Sequence, residues 1–302
     1  MPTYTLADIQ IRDPYILPVA AENAYYLFGT TDTNAWEGAG QGFDCYRSTD
    51  LTSWDGPIAA FRPPPGFWGT TNFWAPEAHA YSGRYYLFAS FKAPDCYRGT
   101  QILTADRPGG PYTPLTGGPV TPPDWECLDG TLHVDAAGSP WIVFCHEWVQ
   151  VHNGAVYALP LSADLTRAVG KPVFLFNASE AAWVRRTGWP EPGAEMGLRF
   201  PMYVTDGPFL FRTEAGTLLM LWSSLGERGY TMGLARSQSG QVTGPWEQLD
   251  QPLWAEDGGH GMIFRRLDGQ LCLTLHQPNQ SPFERTKLFA VRDLGDRIER
   301  VG

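Results

Sequence analysis

Four side chains, far apart in the chain, carry groups suited to acid–base chemistry: Asp13 in RDPYIL, Asp129 in LDGTLH, Asp206 in TDGPFLF and His260 in GHGMIF. Each stands at the opening of a short apolar run, where a strand would begin. Hydrolysis of a glycosidic bond needs two carboxyl groups of opposite protonation. One donates a proton to the leaving oxygen, and the other activates water or attacks from the far side. A third carboxylate close by disfavours ionisation of the donor and keeps it protonated near neutral pH. Sugar rings also present apolar C–H faces that stack on aromatic rings. Phe73 and Trp74 open another run, TNFWAPEAH, and the long stretch 177–204 adds Trp183 and Trp189.

Such a site exists only if the fold brings these openings together. Five segments share one plan of polar opening, apolar run, turn and second apolar run, starting at Arg12, Trp74, Leu128, Thr205 and Gly259. Their turns, AENA, YSGR, AAGS, TEAG and LDGQ, carry Gly or Asn as β-hairpins require. The second runs begin at Tyr25, Tyr85, Trp141, Leu218 and Leu271, at spacings of 60, 56, 77 and 53 residues. Between the hairpins lie further pieces that read as two more strands joined by a Ser, Asp or Gly turn. Four antiparallel strands repeated five times predict an all-β, five-bladed β-propeller occupying residues 1–302 as a single domain. ASEAAWVRR (178–186) is the nearest approach to a helix. In a propeller the first strand of each blade lines the central channel, so the openings converge: Asp13, the Trp74–Glu77 turn, Asp129, Asp206 and His260. Like charges drawn together cost energy, and an acid recurring at strand openings asks for more than a turn-forming role.

The bulk composition agrees. Of 302 residues, 43% are hydrophobic, with 33 Gly and 26 Pro for many turns. A net charge of −10 argues against nucleic acid or an anionic membrane as partner. The five cysteines, Cys45, Cys96, Cys127, Cys145 and Cys272, are odd in number and show no CxxC, so they read as free thiols. MPTYTLADIQ has neither a basic nor an apolar leader region. Both features point to the cytoplasm. The Pro/Gly-rich stretch 108–123 reads as a rim loop between blades.

The ordered set RDPYIL, WAPE, the LDG opening, TDGP and GHGMIF resembles glycoside hydrolase family 43 over roughly residues 8–280. The resemblance implies a five-bladed propeller and an inverting glycosidase on pentose-containing oligo- or polysaccharides. It implies α-L-arabinofuranose release by exo-action first, with β-D-xylosidase or endo-arabinanase activity as alternatives. Galactose-specific action or a non-catalytic sugar-binding propeller ranks below these. Carried over by position, Asp13 matches the general base, Asp129 the acid that tunes and orients the donor, and Asp206 the general acid. His260 matches an axial histidine, often beside a calcium ion. No cofactor is required by that chemistry, and a structural calcium at the axis, with His260 as ligand, is what the resemblance allows. The family usually has Glu where this chain has Asp206, one methylene shorter. Glu147 in CHEW is therefore a second candidate for the donor. Phe73, Trp74, Glu77, His146, Glu147 and His260 are the expected substrate contacts. A rim insertion within 177–204 would close one end of the groove and favour exo-action. The sequence leaves sugar, linkage and oligomeric state open.

Overall fold

A computed structural model describes residues 2–33, 35–186 and 202–301. Five antiparallel sheets follow one another along the chain. Their first strands are Arg12–Val19, Thr71–Tyr81, Cys127–Val134, Asp206–Arg212 and Gly259–Arg265. Each is followed by its hairpin partner: Ala24–Thr30, Arg84–Ala93, Pro140–His146, Leu218–Gly226 and Leu271–Gln277. Two further strands complete each blade, and Thr3–Tyr4 adds an outermost strand to blade 1 by pairing with Trp54–Phe61. The fold is the predicted five-bladed propeller, and the hairpin runs read from the sequence fall on the observed second strands.

The first two strands are apolar on both faces because blades pack on each other. Leu27, Phe28, Ile142, Phe144, Leu219 and Leu221 are all fully buried. The fourth strands of blades 2 and 5, Thr113–Pro114 and Ile298–Arg300, are short, which leaves little exposed edge. Thr113–Pro114 lies inside the predicted rim loop 108–123, so that stretch supplies the outer strand of blade 2. The helix expected around 178–186 is a single 3-10 turn, Ala178–Glu180, with Asn177 and Glu180 capping each other. Among the described residues no helix is long and apolar enough to cross a membrane.

Blade 5 closes on blade 1 through polar contacts. Arg12 Nη1 donates to Glu284 Oε1 at 2.8 Å, Ile11 N–H to Glu284 O at 3.4 Å, and Gln10 bridges Arg285. Glu284 is fully buried, and Arg12 is its ion-pair partner.

Every first strand carries a β-bulge near its start. The register slips between Arg12 and Tyr15, Trp74 and Glu77, Leu128 and Thr131, Asp206 and Phe209, and Gly259 and Met262. The second residue of each bulge is left-handed: Asp13 (φ 53°), Ala75 (46°), Asp129 (56°), Gly207 (53°) and His260 (46°). Bulges re-aim side chains at barrel rims and active sites. Here five of them turn the chain towards the axis at one level.

Candidate active site

The bulges place Asp13, Asp129 and His260 at equivalent positions in blades 1, 3 and 5. Asp206 departs from the expected match: it stands one residue earlier, the left-handed position of blade 4 being Gly207. Only glycine fits there, because a Cβ would sit 2.6 Å from His260 Cδ2. Asp206 nonetheless reaches the same pocket.

His260 lies between the acids, with Nδ1 3.1 Å from Asp13 Oδ1 and 3.7 Å from Asp129 Oδ2. Burial works against its charge, yet Asp13 and Asp129 raise its pKa to about 10. Burial alone would raise Asp13 as well. The His260 charge and hydrogen bond, with Arg12, outweigh that and hold this carboxyl well below the usual range. Asp13 Oδ2 also accepts from Thr30 Oγ1 at 2.8 Å. Its backbone N–H donates to His276 Nδ1 at 3.1 Å, while His276 Nε2 faces Asn279 Oδ1 at 3.1 Å. His276 is therefore neutral, its pKa lowered to about 3 by burial and by Arg12. Its approach to Asp13 is not an ion pair.

Asp129 and Asp206 lean the other way. Burial pushes Asp129 up to about 8, with Asp206 and Asp13 adding to it against His260. Burial raises Asp206 too, while its contact with Tyr230, whose OH donates to Oδ2 at 2.9 Å, works against that rise. The two titrate as a pair. One pocket thus holds a carboxylate kept ionised and a coupled carboxyl pair whose hold on a proton is strengthened, the division of labour acid–base cleavage needs. The pocket, a cavity of about 380 Å³, is lined by these groups with Arg12, Trp36, Trp74, Glu147, Trp148, Tyr230 and Asn279 among others.

The sequence profile of the Glycosyl hydrolases family 43 matches residues 7–291. The chain belongs to that family. Its members are inverting glycosidases and need no cofactor for catalysis. An endo-arabinase from Bacteroides thetaiotaomicron VPI-5482 superposes with a TM-score of 0.86 at 39% identity, covering 95% of this chain and 96% of that one. The extracellular exo-α-(1→5)-L-arabinofuranosidase ArbA of Cellvibrio japonicus (strain Ueda107) is 24% identical over 79% of this chain and 66% of its own length. The extracellular endo-α-(1→5)-L-arabinanase 1 of Bacillus subtilis (strain 168) is 24% identical over 46% of this chain and 44% of its own. The matched stretch therefore spans under two thirds of each of these two extracellular relatives.

In this family 43 chain the structure brings Asp13, Asp129, Asp206, Trp74, Glu147 and His260 to one pocket. Phe73 is a correction: it is 1% exposed and packs among Phe43, Phe61, Phe67 and Phe91, because alternation along the strand turns it inward when Trp74 turns to the channel. Glu77 is buried beyond the bulge and pairs with His79 at 3.1 Å, away from the pocket lining. His146 stacks on Trp125, ring centroids 4.2 Å apart, and bonds Gln150 at 2.7 Å, so it also leaves the substrate list. Trp183 packs on Trp222 in the core, and Trp189 lies outside the described residues.

For the expected axial calcium, His260 Nδ1 faces the Asp13 and Asp129 carboxylates, which leaves Nε2 as the ring nitrogen available to an ion. Among the described residues no three His, Cys, Asp or Glu side chains group as metal ligands.

Several pocket groups escaped the sequence reading. Arg12 adjoins Asp13 in RDP, a signal that was available. Trp36, edge-on to Trp74 at 5.2 Å and donating from Nε1 to Ser281 Oγ at 3.2 Å, comes from an irregular loop. Tyr230 opens a third strand, where aromatics are ordinary. Arg98 lies over the Trp74 ring at 4.1 Å and ion-pairs with Glu147, and nothing local announces either contact.

Proposed function

We propose that this chain is an inverting α-L-arabinofuranosidase that takes terminal residues from arabinose-containing oligosaccharides. Asp13 is the general base, Asp206 the general acid, and Asp129 orients and tunes the acid. The carrying observation is the meeting of three buried acids in one pocket, with Asp13 against His260 and Asp206 against the Tyr230 hydroxyl; the proton affinities of Asp13 and Asp206 are shifted in opposite directions. Water activated by Asp13 attacks the anomeric carbon while Asp206 protonates the departing oxygen from the other side. Tyr230 holds Asp206 by its hydroxyl, which gives the shorter acid a fixed geometry. Burial raises the Glu147 pKa, with the Arg98 charge working against that rise. Its ion pair with Arg98 holds this carboxyl at the pocket wall, where it serves as a contact for a sugar hydroxyl while Asp206 donates the catalytic proton. Trp74 and Trp36 supply the stacking faces. Arabinose is supported by the family relatives, whose names concern arabinans and arabinofuranosides.

The experiment is hydrolysis of nitrophenyl α-L-arabinofuranoside, β-D-xyloside, β-D-galactoside and β-D-galactofuranoside by wild type and by Asp13→Ala. Cleavage of the arabinofuranoside alone, lost in the variant, is expected. Preference for another sugar sinks the assignment. A second reading, endo-arabinanase, is favoured by the 39% identical endo-arabinase. Linear arabinan distinguishes them: arabinose from the first minutes means exo-action, a ladder of oligomers endo-action. Of the stretch 177–204 on which the rim closure rests, 187–201 lies outside the described residues.

A further inference from the structure

Each blade but one hands its neighbour a side-chain acceptor. The second strand places one residue opposite the first strand's opening, and that residue accepts the N–H of the left-handed residue in the next blade. Thr30 Oγ1 takes Ala75 N–H at 2.9 Å, Ser90 Oγ takes Asp129 N–H at 2.9 Å, and Ser223 Oγ takes His260 N–H at 2.8 Å. His276 Nδ1 takes Asp13 N–H at 3.1 Å and closes the ring. In blade 3 the equivalent residue, opposite Leu128, is Cys145. A thiol is a weak acceptor, and the Gly207 N–H goes instead to Asp129 Oδ2 at 3.0 Å.

We infer that Cys145 is a positioning residue: by leaving the Gly207 amide unclaimed, it draws the Asp129 carboxylate onto the peptide adjoining Asp206. A serine or threonine here would complete the ring as in the other blades and release Asp129. The inference rests on the hydrolase reading for its kinetic consequence and on the hydrogen-bond ring for its geometry. Asp129 faces His260 of blade 5, Asp206 of blade 4 and Asp13 of blade 1, with Cys145 beside it on its own blade. The Gly207 bond favours its ionised form, so losing that bond moves the pair's titration to higher pH.

The test compares Cys145→Ser with Cys145→Ala, using kcat/KM against pH on the best nitrophenyl glycoside. Serine should lower kcat/KM about tenfold, the scale of one hydrogen bond to a charged group, and move the alkaline limb up. Alanine, which accepts nothing, should keep the wild-type profile. Identical profiles for serine and alanine overturn the inference. Cys145→Thr, the choice of blade 1, repeats the test if serine does not fold. If the wild type is inert on every nitrophenyl glycoside and on linear arabinan, the hydrolase reading fails. Carbon NMR titration of the Asp129 carboxyl then still decides: an upward shift in Cys145→Ser supports the ring argument, and no shift overturns it.

Discussion

At the residue scale the site is a sorting of protons. Three carboxyls share one buried pocket, and what separates them is who faces the cation. Asp13 lies closest to His260 and beside Arg12, whereas Asp206 has a phenol for company. Activity should therefore persist well into acid, since Asp13 stays ionised, and should fall on the alkaline side as Asp129 and Asp206, both raised by burial, give up the proton the pair holds. A kcat/KM–pH profile checks both limbs. Asp206→Ala should lose activity by 10²–10⁴-fold, the range of general acid–base catalysis. The loss should be partly restored with a good leaving group, which needs little protonation, whereas Asp13→Ala should gain nothing from one. Tyr230→Phe removes a donor that favours ionised Asp206. It should lower kcat/KM about tenfold, the weight of one such bond, and move the alkaline limb upward.

At the element scale the β-bulge is what converts five hairpins into a site. Its left-handed residue turns each first strand towards the axis and offers an N–H to the blade before it. Non-glycine residues hold that conformation at a cost of about 1–2 kcal/mol each, which the inter-blade bonds help offset. Gly207 shows the constraint most sharply, since His260 fills the space a Cβ would need. Gly207→Ala should displace the His260 ring, cut kcat/KM by more than tenfold and lower the melting temperature by a few degrees. Calorimetry beside kinetics measures both.

At the scale of the whole molecule, catalysis and ring closure share residues. Arg12 lines the pocket and ties blade 1 to Glu284 of blade 5. Glu284→Ala strands a largely buried guanidinium and should destabilise the fold by about 3–5 kcal/mol, as broken buried ion pairs do; chemical denaturation reads this. The axial histidines set the pH dependence of stability. His276, at about 3 when folded against 6.5 ordinarily, contributes fully above 6.5 and loses its contribution as pH falls towards 3. His260, raised to about 10, contributes fully below 6.5 and loses its contribution as pH rises to 10. Melting temperatures should therefore decline from pH 6.5 to 10. A flat curve there would mean that His260 is not held as an imidazolium.

The sequence by itself determined the blade count, the hairpins and the three acids. Those are local signals: alternating apolar runs, turn residues, and carboxylates at strand openings that survive reading one segment at a time. The tertiary structure decided which neighbours each group meets. Phe73 and Trp74 look alike in the chain, but strand alternation sends one to the core and the other to the pocket. Glu77 and His146 sit in promising segments and face elsewhere. Arg98 and Tyr230 reach the site from third strands with no local mark. The one-residue offset of Asp206 follows from register, and the gap at Cys145 is visible only beside the four blades where a hydroxyl or imidazole stands. Protonation was likewise beyond the sequence, because it depends on burial and on charges brought near from other blades.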